Sequence, residues 1–174
     1  MKWTQSALVS DYAAAAYGLM PQHLVLAGDA AYVRELTAAA AEYAEEALGA
    51  SLITRTITAE FYEGEKLFLP RGPVMTVTSV TDAGGRAVGW RLERYGRSDL
   101  LVTTAAYTTP LTVVYTAGYG SGITNVPADI RHAIRTHVAT LYENRESVSD
   151  KAKMPVPHSL ADFYRMKSRI VGIG

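Results

Sequence analysis

Three glycines at Gly118-x-Gly120-x-Gly122 lie after a β-branched run and before a helical one, and they are the first place where chemistry could sit. Glycines between a strand and a helix can cradle a phosphate on backbone N–H groups. The spacing argues otherwise. A dinucleotide fingerprint needs a glycine three places after the second, where Ile123 stands, and a phosphate-binding loop needs a Gly-Lys-Ser/Thr that is missing. The triplet therefore reads as a tight strand-to-helix connection. His132 and His137 share a predicted helix but are five residues apart, which turns them about 140° away from each other, so they cannot chelate one metal. His137 falls on the apolar stripe and is expected to be packed, His132 to be exposed. Ser121 lacks the Gly-x-Ser-x-Gly elbow of a serine nucleophile. Glu60, Glu63 and Glu65 read as a solvated edge that guards against aggregation rather than as an acid–base pair. The expectation is of no catalytic, metal or cofactor residue; a small hydrolase built on Ser121 or Glu65 is the remote alternative.

Composition limits the classes further. The 174 residues carry 17 Lys+Arg against 17 Asp+Glu, with 48% hydrophobic and 20% charged residues, which is the make-up of a folded domain. A net charge of zero disfavours a general nucleic-acid binder. With no cysteine, disulfide scaffolds, zinc ribbons and thiol nucleophiles are excluded. Asp11 interrupts any signal-peptide core, and Gly18, Pro21, Gln22 and His23 break the longest uncharged stretch, so the reading is of a chain kept in the cytoplasm with no membrane partner. Eleven tyrosines against three phenylalanines lean towards a surface that is both wet and adhesive.

The elements that must carry any surface come in three blocks. Residues 1–50 read as helical: a short helix over 10–17, then a long one over 29–48 capped by Asp29, with Val33, Leu36, Ala40, Tyr43, Ala44 and Ala47 on one face and Glu42, Glu45 and Glu46 mainly outside. Residues 52–118 change to a two-residue period. Thr54, Thr56 and Thr58 alternate with Ile53, Arg55 and Ile57; Phe61-Tyr62 and Leu67–Leu69 suggest a hairpin about Glu63-Gly64-Glu65; Val74–Val80 is a strand; Val88, Trp90 and Leu92 mark a half-buried one; 100–102 and 111–116 complete the set. Hairpin spacing without crossover helices predicts an antiparallel sheet or small barrel. Helix returns over 127–143 on an Ile130, Ala133, Ile134, His137, Val138, Leu141 stripe. A polar linker over 144–157 leads to a short last helix capped by Ser159 with Asp162. The predicted class is α+β, a small helical bundle framing an antiparallel β module, with a core over 1–146 and a linker and tail over 147–174.

Charge is uneven along this order: residues 1–50 hold two basic and six acidic side chains, 51–150 ten of each, and 151–174 five basic and one acidic. An acidic head and a basic tail allow one copy to attract another, or the tail to seek an acidic partner.

Three segments in order carry a resemblance. They are Val113-Val114-Tyr115-Thr116-Ala117-Gly118-Tyr119-Gly120, then Val126-Pro127-Ala128-Asp129-Ile130-Arg131-His132-Ala133-Ile134, then Leu141-Tyr142-Glu143-Asn144-Arg145-Glu146, after an alanine-rich helix that ends at Ala47-Leu48-Gly49. The chain resembles the head–tail connector (adaptor) proteins of long-tailed bacteriophages, prophages and gene-transfer particles, most specifically over 113–146. What the resemblance implies is a structural virion protein of the neck, made in the host bacterial cytoplasm. It implies a ring, generally dodecameric, that joins the portal to the stopper or tail and lets DNA pass without specific binding. A head-closure or tail-completion protein is the alternative within the same machine. On that reading Glu42, Glu45 and Glu46 are the expected ring face, and residues 147–174 the portal-docking element. In that element Phe163, Tyr164 and Ile170 are apolar anchors and Arg165, Lys167 and Arg169 supply positive charge, so removal of 158–174 is expected to spare the fold.

Overall fold

The computed structural model describes residues 1–5, 19, 21, 30–144 and 157–169. The helix expected over 10–17, the Asp29 cap, most of the 144–157 linker and Ile170 lie outside the described residues. The described elements run β1 (Lys2–Gln5), α1 (Ala30–Leu48), β2 (Arg55–Phe61), β3 (Lys66–Phe68), β4 (Val74–Thr81), β5 (Trp90–Tyr95), β6 (Ser98–Thr103), β7 (Leu111–Ala117), a 3-10 turn (Ile123–Asn125), α2 (Ala128–Glu143) and α3 (His158–Lys167). The fold is α+β, as predicted. It divides into a β unit (1–8, 49–119 and 168–174) and a helical unit (9–48 and 120–167).

In the β unit, two antiparallel sheets share one core. The first has strand order β1-β2-β7-β4 and the second β3-β6-β5. Strands β2 and β7 alternate buried with less buried residues, so Ile57, Ala59 and Phe61 face the same way as Leu111, Val113, Tyr115 and Ala117. Leu67 and Leu101 of the second sheet meet that face, with Val74, Val80 and Val88 closing the ends of the core. Burial of each such aliphatic side chain contributes roughly 1.5–3 kcal/mol. Strand β4 is bulged against β7 between Val74 and Thr76 and again between Val77 and Ser79. Each bulge adds a residue to one strand and increases its local twist.

Three expectations for the β region are corrected. Residues 2–5 are not helical but an edge strand against β2, with Trp3 packed on the core and the Arg71 guanidinium 5.1 Å from its ring centroid. Phe61 and Leu67 do not flank a hairpin: β2 pairs with β1 and β7, whereas β3 pairs with β6, so the chain changes sheet across 62–65. Both stretches are apolar because they line one core from opposite sides, and a core residue in a two-sheet stack looks the same from either sheet. Strand β5 exists, but Trp90 and Leu92 are exposed rather than half-buried, because β5 is an edge strand and overhangs the core.

In the helical unit, α1 packs on α2 and on α3. The predicted α2 stripe of Ile130, Ala133, Ile134, His137, Val138 and Leu141 is buried, whereas on α1 Val33, Ala40 and Ala44 of the predicted face are buried together with Thr37, Ala41, Glu45 and Leu48, and Leu36, Tyr43 and Ala47 are half-buried, so the packed face is rotated from the one expected. Alanine at so many contact positions lets the helix axes come close. Helix α3 begins at His158 rather than after Ser159. The Pro157 carbonyl accepts from the Leu160 and Ala161 N–H groups, and Asp162 pairs with Arg165 at 3.4 Å instead of capping. Proline tolerates that place because it has no amide hydrogen to leave unpaired. Among the described residues, no helix is long and apolar enough to cross a membrane.

Candidate assembly surfaces

The glycine triplet is built for close approach, not for an anion. Gly118 has φ 146°, and a Cβ there would lie 2.5 Å from the Thr54 backbone; its N–H donates to the Pro73 carbonyl at 3.0 Å. Gly120 has φ 150° and sits against the Asn125 side chain, whose Oδ1 accepts the Gly122 N–H at 3.2 Å. The N–H groups of Gly118 and Gly122 are thus taken by the protein itself. Among the described residues, no three His, Asp or Glu side chains cluster as metal ligands. The depression lined by Glu65, Thr103, Thr104, Ala105, Ala106 and Tyr107 holds no histidine or basic group to act with Glu65.

The two histidines take the predicted places. His132 is exposed, while His137 is 0% exposed, with its ring 5.3 Å from that of Tyr43 and nearly perpendicular to it. Neither imidazole nitrogen has a hydrogen-bond partner, and burial lowers the pKa below the usual histidine range. Tyr43 is central: its ring also meets Tyr164 at 5.8 Å, and Tyr164 in turn meets Phe163.

Of the tail residues, Tyr164 is 1% exposed and its hydroxyl has no partner. Lys167 holds Asp129 at 2.7 Å, and that bond keeps the Asp129 carboxyl below its ordinary pKa. Phe163 is half-buried; Arg165 and Met166 are exposed. Arg169 belongs to the β unit, where its Nη2 donates to Asp99 Oδ2 at 2.7 Å and its backbone carbonyl accepts from the Ser98 hydroxyl. Asp99 Oδ2 also accepts the Val74 N–H at 2.9 Å, and Arg94 lies 3.5 Å from Oδ1. Gly72 leaves room for the arrangement, since a Cβ there would come within 2.5 Å of the Arg169 guanidinium. Leu160 and Tyr164 are packed inside the helical unit, so the expectation that residues 158–174 are dispensable for folding gives way. A buried tyrosine removed with its helix leaves a cavity, which costs about 3–5 kcal/mol in comparable aromatic truncations.

On α1, Glu42 and Glu46 are exposed as expected, while Glu45 is 4% exposed and belongs to the packed side. Positions 42 and 46 are one turn apart, whereas 45 is rotated towards the buried Ala41 and Ala44. Sequence reasoning missed Asp99, whose partner Arg169 is seventy positions away, and missed the overhang of β5. The apolar alternation at Trp90 and Leu92 was visible, but alternation does not reveal which strand stands at an edge.

No protein-family model matches the sequence, and no curated protein is significantly similar to it. Solved structures do share the fold. A chain of the structure described as "Neck of empty GTA particle computed with C6 symmetry" aligns over 99% of this chain and 98% of its own, with TM-score 0.73 and 24% identity. "Neck of native GTA particle computed with C12 symmetry" gives TM-score 0.69 and 22% identity over 99% and 98%. "Virion of native gene transfer agent (GTA) particle" gives 0.68 and 21%, again over 99% and 98%. The likeness spans essentially the whole of both chains, which establishes a common architecture.

Proposed function

We propose that this chain is a structural protein of the neck of a phage-like particle, a head–tail adaptor that forms a ring between the portal and the stopper or tail and acts by assembly, without turnover. The observation that carries the reading is the end-to-end likeness to chains of gene-transfer-agent neck and virion structures, two of them computed with C6 and C12 symmetry. It agrees with the order of the three segments over 113–146.

In this reading Phe163, Arg165 and Met166 form the outward part of the portal-docking element on their exposure: Arg165 and Met166 are exposed and Phe163 is half-buried, whereas Tyr164 is buried and Lys167 and Arg169 hold Asp129 and Asp99. Glu42 and Glu46 belong to the ring face. DNA passes without being gripped: a neutral chain neutralises few phosphates and so gains little counterion release. The test is to purify the chain alone and with its cognate portal, and to image both by electron microscopy. Rings that dock coaxially on the portal support the role. A chain that neither forms rings nor binds the portal contradicts it.

A further inference from the structure

The outer face of the second sheet carries an apolar patch that the core does not use. Leu67 and Leu101 point into the core, so their sequence neighbours Phe68, Leu100 and Val102 point away from it. Phe68 and Leu100 are paired across β3 and β6, and Tyr95 and Ser98 across β5 and β6, two residues along, so all four share that outer face. Leu100 and Val102 are 5% and 7% exposed, while Phe68 and Tyr95 are 38% and 62% exposed. Phe68 and Tyr95 come from strands on opposite sides of β6, yet their ring centroids are only 6.3 Å apart. The rings lean together over β6 and present one side of an aromatic pair to solvent. A contiguous apolar patch of this kind marks a surface made to be covered.

The course of the chain identifies the cover. Ser98 shares the outer face, and its hydroxyl donates to the backbone carbonyl of Arg169. The Arg169 guanidinium is held at the same corner by Asp99 at 2.7 Å. The chain continues past Arg169, beyond the described residues, as Ile170-Val171-Gly172-Ile173-Gly174, uncharged and with three β-branched aliphatic side chains. Five extended residues reach about 16 Å, whereas Tyr95 lies one strand spacing, about 5 Å, from Ser98. The bonds at Ser98 and Asp99 thus deliver an apolar segment to the margin of an apolar patch. Tethered there, it meets the patch at an effective concentration on the order of millimolar, well above that of a second copy in dilute solution.

We propose that Ile170, Val171 and Ile173 dock over the Phe68–Tyr95 pair of their own chain, with Arg169 as the anchor of a C-terminal clasp on the second sheet. The inference goes beyond the adaptor reading and does not depend on it. It also takes Ile170 out of the portal-docking element, which then ends within α3. The aliphatic side chains supply the apolar cover, and the Arg169–Asp99 pair fixes where the segment begins.

The test uses the full chain, which has no cysteine of its own. Tyr95→Cys combined with Val171→Cys is compared with Leu92→Cys combined with Val171→Cys, because Leu92 lies on the opposite face of β5. Disulfide formation under mild oxidation is followed by mass spectrometry; the bond needs the two Cα atoms within about 7 Å. The expected result is an intrachain bond that forms at least about ten-fold faster in the Tyr95 pair than in the Leu92 pair. A second readout keeps the sheet intact: with Ile170, Val171 and Ile173 all replaced by serine, hydroxyl-radical labelling of Phe68 and Tyr95 should rise several-fold while that of Trp90 stays unchanged. The serine variant decides alone if a cysteine pair fails to fold. Equal bond rates in the two pairs overturn the proposal, as does labelling that the serine variant leaves unchanged. A bond that joins two chains overturns it in favour of a second copy on the patch, and labelling that falls only when portal is added overturns it in favour of the portal. A chain that stays monomeric at every concentration strikes at the ring reading and leaves this one standing.

Discussion

At the scale of single residues, His137 and Gly118 make the sharpest statements. His137 is buried with both ring nitrogens unpaired, and desolvation lowers its pKa. The unfolded chain therefore takes up a proton near pH 6.5 while the folded chain resists, so stability is full above that pH and falls as pH drops from about 6.5 towards the folded pKa. The slope for one proton is at most about 1.4 kcal/mol per pH unit. Denaturant midpoints measured between pH 7.5 and 5 should fall more steeply in the wild type than in His137→Leu; parallel curves would show that the imidazole is solvated. At Gly118, alanine would enter a left-handed conformation against the Thr54 backbone. The dihedral alone costs about 1–3 kcal/mol, so Gly118→Ala should melt well below the wild type, whereas Ala at exposed Gly84 should not. The sequence correctly placed His137 on a buried stripe and the glycines in a tight connection, since both are local properties. It did not show Asp99, because a carboxylate becomes notable only once Arg169 and the Val74 amide converge on it.

At the scale of elements, the helical periods of α1 and α2 were plain in the sequence because nineteen and sixteen residues sustain an amphipathic pattern. The shorter pieces were not. Strand β1 has four residues, and its pairing with β2 and the seat of Trp3 on the core beneath Arg71 involve partners more than fifty positions away. The stretches around Phe61 and Leu67 look like hairpin partners because both are apolar, yet they lie in separate sheets. The basic charge and apolar anchors of α3 suggest a docking element dispensable for folding, but Leu160 and Tyr164 are buried. Two substitutions separate its packing role from docking. Tyr164→Ala should lower stability by about 3–5 kcal/mol, as loss of a buried aromatic does. Tyr164→Phe, which removes a buried hydroxyl without a partner, should be neutral or stabilising by about 1 kcal/mol in the same unfolding titration. A strongly destabilised phenylalanine variant would mean that the hydroxyl is bonded. Arg165→Glu, on an exposed side chain, should leave the midpoint unchanged and weaken portal binding.

At the scale of the whole molecule, the proposed adaptor role requires the chain to work as repeated copies. Its fold is shared, over 99% of the chain, with a chain of a gene-transfer-agent neck structure, and among the described residues no three His, Asp or Glu side chains cluster as metal ligands. The order of segments over 113–146 was the sequence feature that pointed there. A neutral chain in this role should not retain duplex DNA, so binding at 150 mM salt should be negligible in a filter or polarisation assay, and tight salt-sensitive binding would place the protein in another class. The most direct measurement of the central claim is mass photometry of the purified chain, alone and with its cognate portal. A ring-forming adaptor gives one discrete species at an integral multiple of the chain mass, and a further discrete species when portal is added. A chain that remains monomeric in both samples contradicts it.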